Sequence, residues 1–190
     1  MNGKPVPTLR GARVVLRAWT DADLAPFAAM NADPEVMQYL SKRLSADESD
    51  AMVERIRAHF EAHGFGLWAI DVPDIGFAGF VGLAHVPFEL DAAGIVADPH
   101  EIGWRLARAA WGHGYATEGA RLVLAHAFEV TCLPQVVSFT ALANVASQAV
   151  MQRIALTRRC EFDHPRMAAD HPLRRHVLYA LESPALKAAA

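Results

Sequence analysis

The chain has 190 residues, 53% of them apolar and 21% charged, and a formal net charge of −3. That length suits one domain, and the balance excludes a disordered chain. It also excludes a nucleic-acid surface, which needs a basic stripe. Two cysteines, Cys132 and Cys160, are too few for a disulfide framework and lack the paired spacing of a zinc site, so a reducing cytoplasm is the expected home. Met1 to Arg17 lacks the uninterrupted apolar core of a signal peptide.

In chain order, Arg13 to Trp19 alternates as a first strand, and Thr20-Asp-Ala-Asp reads as an N-cap with acidic first-turn residues. Asp33-Pro34-Glu35 predicts a second short helix with proline at its first position. Ser45-Ala-Asp-Glu48 is a capping-box pattern, opening a helix that carries Met52, Ile56 and Phe60 and stops at Gly64. Leu67–Val72 and Phe77–Val86 form an antiparallel hairpin across Pro73-Asp74, and Glu101–Ala107 is the next strand. Gly112-His-Gly114 makes a tight turn into a helix over Tyr115–Val130, whose apolar face holds Ala116, Ala120, Val123 and Ala127.

No charge falls between Val130 and Gln152, yet Pro134, Gln135, Asn144 and Gln148 argue against a membrane span. This stretch reads as a strand, Val136–Leu142, and a helix from Asn144 to about Leu156. His176–Leu181 is the last strand, and Ser183–Ala190 is expected to be a loose tail. Charge is unevenly placed. Residues 1–100 hold eight Lys/Arg against fourteen Asp/Glu, whereas residues 101–160 hold six against three. A basic middle suits a phosphate-bearing ligand, and an acidic first half suits a cationic partner such as an amine.

The glycine turn carries the most information. Glycines between a strand and a helix let backbone N–H groups approach an anion, with Arg105, Arg108 and His113 adding positive charge nearby. A plain geometric turn is the alternative. No Gly-Lys-Ser/Thr follows, so the Walker pattern is absent. A dinucleotide site would need an acidic residue about 20 positions on, and none lies between Glu129 and Glu161.

Glu101-Ile-Gly-Trp-Arg-Leu-Ala-Arg-Ala-Ala-Trp-Gly-His-Gly-Tyr-Ala-Thr-Glu-Gly-Ala120 resembles the acetyl-CoA motif of the GNAT superfamily of N-acetyltransferases. Asn144-Val-Ala-Ser-Gln-Ala-Val-Met-Gln-Arg-Ile154 is similar to the next helix of its RimJ/RimL branch, the ribosomal-protein alanine acetyltransferases. The resemblance spans about residues 8–182. It implies one α/β (α+β) domain over 1–190 with a mixed, largely antiparallel sheet, splayed between its fourth and fifth strands to admit the thioester. Three positions depart from the superfamily. Ala109 stands where Gln or Arg is usual, Ala155 where a glycine ends the second helix, and Met151 near the place of a catalytic tyrosine.

The resemblance further implies that the diphosphate of acetyl-CoA rests on the N–H groups of Gly112, His113, Gly114, Tyr115 and Ala116. The pantetheine arm would lie along Trp104, Arg105 and Leu106. Asn144 becomes a coenzyme contact and Ser147 a proton donor to the sulfur in place of the missing tyrosine. Their plainer roles are a helix cap and a first-turn serine. Glu101 is the candidate base for the amine, against a surface ion-pair role, with His85 and the Asp163-His164-Pro165 loop as rivals. The expected reaction is direct transfer from acetyl-CoA to a primary amine, either a protein N-terminus or a small molecule. A non-catalytic acyl-CoA sensor is the alternative.

His59-Phe-Glu-Ala-His63 lacks the zincin order, and its histidines suit a helix C-terminus, so no metal site is read from it. Neither nucleic acid nor membrane is expected as a partner. The sequence leaves the acceptor, the acyl chain length and the oligomeric state open, a homodimer included.

Overall fold

A computed structural model describes residues 5–184. It contains β1 (Leu9–Arg10), β2 (Val15–Arg17), α1 (Leu24–Ala32), α2 (Ala46–His63), β3 (Leu67–Val72), β4 (Gly76–His85) and β5 (His100–Leu106). These are followed by α3 (Tyr115–Glu129), β6 (Gln135–Ala141), α4 (Val145–Arg153), β7 (Thr157–Asp163) and β8 (Arg175–Glu182). The strands form one sheet in the order β1-β2-β3-β4-β5-β6-β8-β7. Among the described residues only the β5–β6 pair is parallel, so the sheet is mixed and largely antiparallel, as expected.

Local chemistry sets the element ends. The Ser45 hydroxyl accepts the Glu48 N–H, the Glu48 carboxylate accepts the Ser45 N–H, and Gly64 closes α2 at φ 76°. On one face of the sheet, Leu16, Trp68, Ile70, Val81, Leu83 and Ile102 are fully buried. Gly119 brings α3 close to Leu16, Ile70 and Val81 there. On the opposite face, Phe27 of α1 packs edge-on against Trp19, Phe77 and Phe80. Arg17 ties β2 to β3 and to the α1 entrance through Asp71 and Asp23.

The expected helix at Asp33 does not form. Residues 34–39 are turns, and the Asp33 carboxylate accepts the Glu35 N–H at 2.8 Å, the local competition with helix that Asp favours. Two strands went unread. One is β1, two residues long, and the other is β7, at the sheet edge beside β8. The helix expected to reach Leu156 ends at Arg153. Ser183 is not loose. It is buried, and its N–H donates to the Pro134 carbonyl at 2.9 Å. The remainder of the expected tail, residues 185–190, lies outside the described residues.

β5 and β6 share only two register pairs, His100 with Val136 and Glu101 with Val137, before they part. This is the splay anticipated between the fourth and fifth strands, now numbered β5 and β6. The long β4–β5 connection packs on the outer part of the sheet, where Phe88 meets Phe139 and Gln135 holds Gly94 and Val96.

Candidate active site

The gap between β5 and β6 leaves backbone groups on one edge of β5 without a strand partner. Ala107 donates its N–H to Ala78, and a Cβ on Gly79 would run into the Arg105 carbonyl. Residues 105 and 107 therefore turn their main chain toward β4. By strand alternation Trp104 turns its N–H and carbonyl into the gap, available to an extended amide-bearing ligand. The Leu106 carbonyl is occupied by the indole N–H of Trp111 at 2.8 Å.

Gly112 and Gly114 sit at φ 79° and 80°, a left-handed conformation that explains glycine at both positions. Gly114 caps α3, and its carbonyl accepts the Glu118 N–H at 3.0 Å. The N–H groups of Tyr115, Ala116 and Thr117, ahead of that first helical bond, point outward from the helix end. Arg13 braces this loop from outside. It donates to the His113 carbonyl at 2.9 Å, pairs with Glu118 at 2.9 Å and lies over the Tyr115 ring. Such an end can receive a diphosphate.

At the start of α4, the Asn144 Oδ1 accepts the Ser147 N–H at 3.2 Å. Its Nδ2 donates to Thr140 Oγ1 at 2.9 Å and to Ser147 Oγ at 3.1 Å. Asn144 is thus a helix cap that also fixes a hydroxyl. Because the backbone N–H dictates which end of the amide is oxygen, Ser147 receives a hydrogen bond and keeps its own proton free to donate.

Glu101 and Arg105 share the face of β5 that carries their β4 neighbours Ala84 and Phe80. Burial pushes the Glu101 carboxyl up to about 8, and among the described residues no hydrogen bond or charge opposes it. Arg105 donates to the Asn31 side-chain oxygen at 2.6 Å and lies 5.3 Å from the Phe80 ring centre. Burial lowers its guanidinium to about 10, and among the described residues no carboxylate pairs with it.

These groups meet in one cavity of about 920 Å³. Glu101, Trp104, Arg105, Leu106, Gly112, His113, Gly114, Tyr115, Ala116, Asn144 and Ser147 all line it. The rival bases do not. His85 projects from β4 beside His59, His63 and His100. Asp163 pairs with Arg174 and Arg175, while His164 packs against Phe88 and Phe139.

Sequence reasoning missed a further wall, an overhang in which Glu35, Gln38 and Tyr39 line the cavity together with Phe80 and Arg105. Glu35 pairs with Arg108 at 2.7 Å, tying this overhang to the segment after β5. No local pattern marks these residues as a wall, because the turns that place them depend on packing over the sheet.

Residues 13–157 match the acetyltransferase (GNAT) domain family. Over 160 residues the chain is 32% identical to the FsC-acetyl coenzyme A-N(2)-transacetylase of Aspergillus fumigatus, covering 83% of this chain and 68% of that protein. An acetyltransferase from Agrobacterium tumefaciens superposes with TM-score 0.75 at 26% identity, covering 95% of this chain and 96% of the other. The ribosomal L7/L12 acetyltransferase RimL, solved with coenzyme A, reaches TM-score 0.75 at 16% identity, covering 93% and 98%, and so shares the fold. No helix among the described residues is long and apolar enough to cross a membrane. The family match, the N-acetyltransferase relative and the shared fold lead to one conclusion: the chain belongs to the GNAT acetyltransferase family and is an N-acetyltransferase.

Proposed function

We propose that this enzyme passes the acetyl group of acetyl-CoA directly to a primary amine while both substrates are bound. The carrying observation is that Glu101, raised to about 8 by burial, and the Ser147 hydroxyl open on the same cavity as the glycine turn. The diphosphate rests on the N–H groups from Gly112 to Ala116, and the pantetheine arm pairs with the Trp104 main chain, whose N–H polarises the thioester carbonyl. Glu101 takes the ammonium proton, directly or through a water. The amine then attacks, and the tetrahedral intermediate expels the sulfur as the second proton of the nitrogen passes by way of the Ser147 hydroxyl to the thiolate. Ser147 donates a hydrogen bond to that sulfur, and the proton on Glu101 leaves to solvent.

The acceptor enters beneath the overhang of residues 35–40, on the face shared by Glu101 and Arg105. A half-buried cation such as Arg105, held by one neutral amide, favours an acceptor that carries an anionic group beside its amine. A related protein named as an N(2)-transacetylase supports an amine nitrogen as the target. Kinship with the RimJ/RimL branch, and hence a protein N-terminus as acceptor, rests on the Asn144–Ile154 helix and the fold shared with RimL. Two free cysteines suit a reducing cytoplasm.

The test is release of free thiol from acetyl-CoA across a panel of amines, followed by initial rates with both substrates varied. Intersecting reciprocal plots support direct transfer. Parallel plots contradict it, and binding without turnover on any amine indicates a sensor.

A further inference from the structure

Away from the cavity, strand pairing and one helix turn gather four histidines and an aspartate. His85 and His100 are register partners at the ends of β4 and β5, their rings 4.3 Å apart. His59 and His63, one turn apart on α2, bring their rings to 5.5 Å and 4.7 Å from His85. Asp98, two residues before His100, sets Oδ1 3.4 Å from His85 Nδ1. One ligand-capable atom from each of His85, Asp98 and His100 lies within 4.8 Å of the others. Among the described residues the imidazole Nε2 atoms of both His59 and His85 are buried without a hydrogen-bond partner, an arrangement that calls for an explanation.

We propose that His85, Asp98 and His100 bind a divalent transition cation of the zinc type, with the His63 ring beside His85. Neutral imidazoles and one carboxylate are the donors such an ion takes, whereas magnesium and calcium favour all-oxygen shells. Metal–nitrogen bonds of about 2.0–2.1 Å place tetrahedral ligand atoms roughly 3.3 Å apart. The His85 Nδ1–Asp98 Oδ1 pair, at 3.4 Å, is already near that spacing, and the His100 ligand atom lies within 4.8 Å of both.

The ion would clip the end of the long β4–β5 connection onto the start of β5. Since His100 and Glu101 point to opposite faces of the sheet, it would sit behind the acetyl-transfer cavity as a stabilising site.

The experiment is equilibrium dialysis of the full chain against zinc with metal analysis, paired with the visible spectrum of the cobalt(II) form. The expected result is one zinc per chain and a tetrahedral cobalt absorption. Both should weaken at least tenfold in His100→Gln and in Asp98→Asn and persist in His171→Ala, which alters a histidine outside the cluster. Asp98 lies on the exposed connection, so its variant decides the matter even if His100→Gln does not fold. Absence of stoichiometric zinc, or equal binding by wild type and Asp98→Asn, overturns the proposal.

Discussion

Asn144 holds Ser147 by both ends of its amide, accepting the Ser147 N–H at 3.2 Å and donating to the Ser147 hydroxyl at 3.1 Å. The first contact caps α4, and the second leaves the serine proton as the free donor at the cavity wall. If that proton meets the departing sulfur, Ser147→Ala should lower kcat about 100-fold, the lower end of the range for a positioned proton donor. The dissociation constant of coenzyme A should change less than twofold, because the main-chain contacts remain. Stopped-flow thiol release and calorimetry separate the two effects.

The pH profile reports on Glu101. Its folded-state pKa of about 8 exceeds the ordinary 4.5, so the basic form appears only as pH rises through about 8. The kcat/KM of the wild type should climb tenfold per pH unit below that point and then level. In Glu101→Gln the limb should vanish and the plateau rate should fall by about 100-fold or more.

The same shift has a consequence for stability. A carboxyl whose pKa is raised on folding keeps its proton longer in the native state than in the unfolded chain. Stability is therefore fully present below about 4.5 and declines as pH rises from there to about 8. Thermal melts of the free enzyme should show Glu101→Gln gaining on wild type across that window and holding a constant advantage above it.

Arg105 bears on acceptor choice. Arg105→Gln should raise KM about tenfold or more for amines bearing a carboxylate, the scale of a hydrogen bond to a charged group. For the matching amides the change should be small. Paired acceptors that differ only in that group make the measurement.

Ala155 occupies φ 67°, with its N–H on the Gln152 carbonyl and the Leu156 N–H on that of Met151. This is a helix C-terminus of the Schellman type, in which glycine is favoured. Ala155→Gly should stabilise the fold by about 0.5–1 kcal/mol, the relief of left-handed strain less the entropy of a freer unfolded chain. Chemical denaturation checks it.

Much of this architecture was legible because its signals are local. The Ser45–Glu48 box, the Gly64 stop and the Gly112–Gly114 turn each depend on residues within four positions of one another. The residues expected at the site line one cavity because they cluster on β5, the turn and the head of α4. What stayed hidden depends on distance along the chain. Asn31 reaches Arg105 across 74 residues, and His59 reaches His85 only when α2 folds onto β4. β7 escaped notice because Thr-Arg-Arg-Cys-Glu-Phe-Asp is mostly exposed at the sheet edge and has no apolar run to read. The helix expected at Asp33 failed because the proline signal there also suits a turn.

The cradle formed by main-chain N–H groups at the head of α3 is tested most directly by a crystal structure of the chain with coenzyme A. The account predicts diphosphate oxygens about 2.7–3.2 Å from the N–H groups between Gly112 and Ala116, with the pantetheine amide paired to Trp104. A diphosphate bound elsewhere, or a glycine turn that closes over the gap and excludes it, would contradict the account.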